Sequence, residues 1–174
     1  MIERKAFRSL SSGLYLITAR EGDTKAGCVV NTVVQVASNP PMISVAINKE
    51  NTTAQIIRET GQLVVTALSE DAPLDLISTF GFYCSRDTNK FASFYTQEDE
   101  GGIPYVLNAC LARFSVKVTE TVDAATHWLF VGEVEHSEVI SQGNPMTYAY
   151  YHAVKGGKTP PRAATFNEGD SLNL

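Results

Sequence analysis

From Ala112 to Thr119 the chain alternates apolar and polar residues without a break. That period of two marks a strand with one face on a core and the other in water. Thr126–Ile140 reads as a second long strand, interrupted by Gly132, where a bulge or a close backbone approach is expected. Near the other end, Leu14–Thr18, Gly27–Val36 and Met42–Asn48 are three more β-rich runs. The turn Glu21-Gly22-Asp23 and the stop Asn39-Pro40-Pro41 separate them, which predicts a meander. Thr52 with Gln55 three residues on has the form of a capping box, and Gly61 stands where the helix it opens would stop. Gln62–Leu68 is a buried strand and Pro73–Phe80 a further helix, while Ile2, Ala6, Phe7 and Leu10 predict a short amphipathic helix before Ser11-Ser12-Gly13. Residues 81–102 are polar and irregular, with Phe82, Tyr83, Phe91, Phe94 and Tyr95 scattered through them. A connection of that length is usually functional or mobile. The elements add up to a mainly β fold, an antiparallel barrel with a few short helices. No repeat or internal boundary divides it, so one domain over 1–155 with an extended tail over 156–174 is expected.

Composition narrows the function. Hydrophobic residues make up 44%, enough for a packed core in one domain. The formal net charge of -5 and the absence of a basic stripe argue against nucleic acid as a partner. No apolar run is long enough to span a membrane and the start of the chain has no secretory core, so a cytoplasmic location is expected. Cys28, Cys84 and Cys110 are far apart and odd in number, so free thiols are expected rather than disulfides or a zinc site.

The motifs of side-chain-driven catalysis are missing. There is no G-x-G-x-x-G, P-loop or G-x-S-x-G, and His127, His136 and His152 do not fall at metal-ligand spacing. A cofactor that carries its own reactivity suits such a chain better. Two segments offer binding groups. Asn31 and Thr32 lie in a nearly all-apolar strand and need partners, either the neighbouring backbone or the polar edge of a planar heterocycle. Asn48-Lys49-Glu50-Asn51-Thr52-Thr53 brings hydroxyls and a cation to a helix start, which is either a monophosphate cradle or an ordinary capped helix with Lys49 at the surface. Trp128 and Phe130 read as core, Glu133 and Glu135 as a solvated face, and Tyr148, Tyr150 and Tyr151 as strand or interface residues.

Taken in order, Gly27-x-x-x-Asn31-Thr32, Asn39-Pro40-Pro41, Asn48-Lys49 with Thr52, Asn89-Lys90-Phe91 and His127-Trp128-Leu129-Phe130-Val131-Gly132-Glu133-Val134 resemble the flavin reductase-like family, over roughly residues 7–152. The ending from Pro145 to His152, then Lys155-Gly156-Gly157-Lys158 and Pro160, is similar to flavoredoxins and to the flavin half of high-molecular-weight rubredoxins. The resemblance implies the FMN-binding split barrel, an antiparallel barrel open on one side. It also implies a homodimer with FMN near the subunit interface. Carried over by motif, it places Cys28, Asn31 and Thr32 against the flavin, Asn48, Lys49, Thr52 and Thr53 at the phosphate and ribityl end, and Lys90 and His127 near the ring. The chemistry would sit on flavin N5, with no catalytic side chain and His127 as an auxiliary. A compact phosphate cradle without an adenine motif favours FMN over FAD. The function implied is an oxidoreductase passing electrons from NAD(P)H or an iron protein such as rubredoxin to an acceptor. The alternatives are a redox carrier or sensor without turnover, and a reductase that treats flavin as a diffusing substrate.

Overall fold

The computed structural model describes residues 1–166. Its main sheet has seven antiparallel strands: β1 (Tyr15–Glu21), β2 (Thr24–Val30), β3 (Val34–Ser38), β4 (Pro41–Asn48), β5 (Gln62–Leu68), β8 (Cys110–Ala124) and β9 (His127–Val139). Their order is β2-β1-β5-β8-β9-β4-β3. The hairpin of β8 and β9 is the spine; β8 is longer at both ends than its alternating run predicts, while β9 falls within one residue of the expected bounds at each end. Gly132 sits opposite Val118, next to a register shift, as its place in the sequence suggests. A Cβ there would meet the Lys117 carbonyl oxygen at 2.5 Å, so the two backbones touch where only glycine fits.

The meander expected near the start is broken. The run from Gly27 to Val36 divides at Asn31–Val33 into β2 and β3. These strands follow each other in the chain, yet they lie at opposite ends of the strand order. β1 takes β2 on one side and β5 on the other, while β4 pairs with β3 and β9. The sheet is therefore not closed, and its open seam falls between β2 and β3. This is the split-barrel form.

Helix α1 (Thr52–Thr60) packs its buried Ala54, Ile56 and Ile57 into the barrel interior with Ile17, Val45, Ile47, Leu63 and Phe130. Its cap is Asn51 rather than Thr52: Asn51 Oδ1 accepts from the Thr53 backbone N–H at 2.9 Å. Gly61 ends the helix in the left-handed conformation, φ 69°. Helix α2 (Leu74–Phe82) covers a second apolar cluster with Leu14, Leu68, Met146 and Tyr151.

Three other expectations change. The N-terminal helix is a six-residue 3-10 segment, Arg4–Ser9, whose residues are all exposed. The irregular stretch contains a short strand, β6 (Thr96–Glu98), which pairs with β7 (Pro104–Val106). Arg113 clamps this hairpin to β8: its Nη1 and Nη2 donate to Glu100 at 2.7 and 2.8 Å, and Ser115 Oγ donates to Asp99 at 2.7 Å. Tyr148, Tyr150 and Tyr151 lie not on a strand but on helix α3 (Tyr148–Ala153). One turn of helix brings the Tyr148 and Tyr151 rings into a stack at 6.1 Å.

Candidate functional site

The seam between β2 and β3 opens into a cleft. One wall is Cys28–Thr32 at the end of β2, and another is Ala46–Asn48 at the end of β4 with the cap residue Asn51. Gly81 and Phe82 of α2 and Tyr148 and Tyr151 of α3 close the side. The segment from Lys158 to Ala164 runs across it as a strap. Sheet register sets the central pair. Asn48, the last residue of β4, is opposite His127, the first residue of β9, so both side chains rise from one edge of the sheet on the same face.

Each polar group at the seam has a defined state. The Asn31 amide nitrogen donates to Ser12 Oγ at 3.4 Å and to Thr165 Oγ1 at 3.2 Å, which leaves Oδ1 as the acceptor it can offer a ligand. Thr32 Oγ1 donates to the Ala46 carbonyl at 2.6 Å and so ties β2's end to β4 across the opening. Asn48 Oδ1 accepts from the Glu50 N–H at 3.0 Å, and its amide nitrogen donates to the Arg162 carbonyl at 3.3 Å. His127 Nδ1 bonds Thr126 Oγ1 at 2.8 Å, and the ring also hydrogen-bonds the Arg162 backbone. Burial lowers the affinity of His127 for a proton, and the bond to Arg162 only partly offsets this. The ring therefore stands neutral at neutral pH. The Cys28 thiol is buried, and desolvation pushes its pKa up to about 11 despite Lys90 nearby, so it is a thiol and not a thiolate.

Cys28, Asn31, Thr32, Asn48 and His127 thus come together in one cleft. Four other candidates stand elsewhere. Lys49 lies outside the lining; its Nζ bonds Asp123 at 2.7 Å and sits 4.4 Å from the centre of the Trp128 ring. Lys90 is behind the β2 wall, 3% exposed, and donates to the carbonyls of Gly27 at 2.8 Å and Phe80 at 3.3 Å. Burial lowers its pKa. Thr53 is fully buried against Cys28, where its hydroxyl forms no well-directed hydrogen bond. Thr52 Oγ1 accepts from Arg86 Nε at 3.2 Å, just outside the cleft.

Sequence reasoning placed the helix cap at Thr52 rather than Asn51, read Tyr148 and Tyr151 as strand or interface residues rather than cleft walls, and gave Arg86 and the strap no place at the site. Asn51 and Arg86 were hidden because the capping pattern pointed one residue too far and the irregular segment has no periodicity to place its charges. The strap left a trace in Gly156-Gly157 and Pro160-Pro161, which suggest an extended chain but not its destination. Gly157 is what lets it turn onto the cleft, since a Cβ there would lie 2.1 Å from the Tyr151 ring.

The residues present fit a flavin. The cleft combines apolar walls with a carboxamide acceptor, a neutral imidazole and a neighbouring helix N-terminus capped by Asn51, with Arg86 beside it.

Comparison with known proteins agrees. A family model described as "Flavin reductase like domain" matches residues 7–157. The high molecular weight rubredoxin of Moorella thermoacetica is 46% identical over 97% of this chain and 73% of its own length. The ferric-chelate reductase (NAD(P)H) of Archaeoglobus fulgidus is 38% identical over 94% of this chain and 97% of its own. The crystal structure of the flavin reductase HpaC complexed with NADP+ superposes with a TM-score of 0.72 at 23% identity, covering 83% of this chain and 90% of that one, and shares the fold. These relationships establish a flavin-dependent redox role and make the protein a flavin-dependent oxidoreductase. The chain belongs to the flavin reductase-like family.

Proposed function

We propose that the seam cleft binds FMN and that the protein passes electrons through it, from NAD(P)H or an iron-protein donor to an acceptor. The observation that carries the proposal is the meeting of Asn31, Asn48 and His127 at the one place where the barrel is open. When bound, flavin supplies the hydride and one-electron chemistry that no side chain of this protein offers. Asn31 would present its Oδ1 acceptor to the ring edge, with the apolar residues Val29 and Val30 lining the same wall. His127, held neutral and bonded to Thr126 and to the Arg162 backbone, would shape the end of the cleft without adding charge. The N-terminus of α1, with Thr52 and Arg86, would hold the phosphate, taking the place first assigned to Lys49.

The donor is read from relatives. The Archaeoglobus protein carries NAD(P)H in its name, and the Moorella protein is named a rubredoxin. Both donors fit a cleft that is open to solvent. A homodimer fits the apolar residues left exposed on β3, Val34 and Val36, at the free edge of the sheet. The absorbance spectrum of the purified protein, with mass analysis of the chromophore released by heat, tests the cofactor. Released FMN supports the proposal; a colourless protein that ignores added FMN overturns it.

A further inference from the structure

The strap is fastened to the cleft by polar bonds. No residue from 156 to 166 is buried, and none belongs to the apolar clusters that hold the barrel and the helices together. A row of hydrogen bonds to the cleft's own walls holds it instead. The Tyr151 hydroxyl donates to the Lys158 carbonyl at 3.0 Å, and Thr159 Oγ1 bonds the Tyr148 hydroxyl and, at 3.3 Å, His152 Nε2. Further along, the Arg162 backbone bonds Asn48 and His127. Thr165 Oγ1 accepts from Asn31 Nδ2 at 3.2 Å and donates to the Tyr148 hydroxyl at 3.3 Å. Each such bond has a modest net value, because water replaces either partner when they part. The ion pair of Arg162 with Glu50, at 3.1 Å, is exposed on both sides and adds little.

One end of the strap is fixed. At Gly156 the backbone passes through the left-handed conformation, φ 63°, and the Gly157 N–H donates to the Tyr151 carbonyl at 2.9 Å. That makes a pivot at the end of α3. Pro160 and Pro161 stiffen the span beyond it. Pro160, Ala163 and Ala164 line the cleft, so the strap meets it with small apolar groups that suit the face of a flat ring. A segment with a fixed pivot, a stiff span and no buried residue opens at low cost while the barrel stays folded.

We propose that residues 157–165 are a latch: the strap swings from Gly156 as one piece to admit flavin and closes over it, so that the strap sets how fast flavin enters and leaves. The proposal rests on the reading that the cleft holds flavin. It deepens that reading by separating two modes of use. With the latch closed through turnover, flavin is a resident carrier, and its electrons leave for some other acceptor. A flavin that diffused away in every cycle would have to break and remake the whole row of bonds each time.

The double variant Thr159→Val, Thr165→Val tests the latch. It removes two hydroxyls that fasten the strap, keeps the shape of both side chains, and touches neither the cleft lining nor the apolar clusters. In flavin-free protein, trypsin cleavage after Lys158 and Arg162 reads the open population of the strap. It should rise about fivefold or more in the variant, as expected for the loss of several hydrogen bonds, with the urea midpoint unchanged. Equal cleavage in variant and wild type overturns the latch, and so does extra cleavage matched by a lower midpoint, which means global unfolding. In a second measurement, FMN entry and release are followed by flavin fluorescence. Both rates should rise by a similar factor, because one opening step limits both. Unchanged rates overturn the latch. A rise in release alone marks a lost ligand contact and overturns it too. Failure of the wild type to bind FMN overturns the flavin reading instead, and the cleavage comparison still decides whether these bonds latch the strap.

Discussion

Asn48 and His127 face each other across β4 and β9, and both bond the backbone of one residue of the strap, Arg162. The strap is therefore held by the groups that form the floor of the cleft. A ligand seated between them would fill the space the strap encloses. Trypsin cuts after Lys158 and Arg162, so saturating FMN should slow cleavage at both sites several-fold. Faster cleavage with FMN would mean that the ligand expels the strap rather than lying beneath it.

Lys90→Met should cost stability before it alters redox behaviour. The ammonium group satisfies two carbonyls behind β2, and its removal leaves Gly27 and Phe80 without their charged donor. Ser85 Oγ still donates to Gly27 at 3.3 Å, so the loss, about 1–3 kcal/mol, comes from the buried charged hydrogen bonds removed, read as a shift in the urea midpoint. An unchanged midpoint would show that water replaces the ammonium there.

Gly132→Ala should be destabilising by about 1–3 kcal/mol, the usual range for overpacking. The obstacle is the Lys117 backbone, not a flexible side chain, so β8 itself must move. Thermal melting reads the effect. A neutral result would mean that the register shift beside Val118 absorbs the methyl group.

Acid should unfold the protein in two stages. His127 binds protons less readily when folded than when unfolded, so its contribution is intact above the ordinary histidine value and falls away as pH drops below it. Glu100 is held down to about 2, first by the side-chain hydrogen bond from Arg113. Its contribution is present above the ordinary carboxylate value and is lost as pH falls from there towards 2. Arg113→Leu should flatten the second stage and leave the first. It should also loosen the β6–β7 hairpin, which Arg113 ties to β8 through Glu100. Denaturant midpoints across pH check both stages.

The sequence was most legible where periodicity is strong. The spine of β8 and β9, helix α1 with its stop at Gly61, and β5 all fall close to where the pattern puts them. It was least legible where a tertiary choice overrides a local one. The run from Gly27 to Val36 is rich enough in valine to be one strand, and nothing local says that its halves pair at opposite ends of a sheet. Asn31 and Thr32 were the clue, as polar residues in an apolar run mark the break. Lys49 illustrates the converse: beside a helix start it has the right charge, yet Asp123 and Trp128 lie on the neighbouring hairpin and take it away from the cleft. Side-chain partners brought in from distant strands have no signature in a single sequence.

The open seam has one more consequence. Its two edges, Val30 and Val34, are four residues apart in the chain, so they separate by no more than about 14 Å at full extension. The connection acts as a tether. The barrel's mouth has an upper limit to its width that is written into the backbone. Loops elsewhere can lengthen and the strap can lift without changing that limit. An insertion within Asn31–Val33 removes it, so the tolerance of this short stretch to added residues measures how far the pocket depends on a mouth of fixed size.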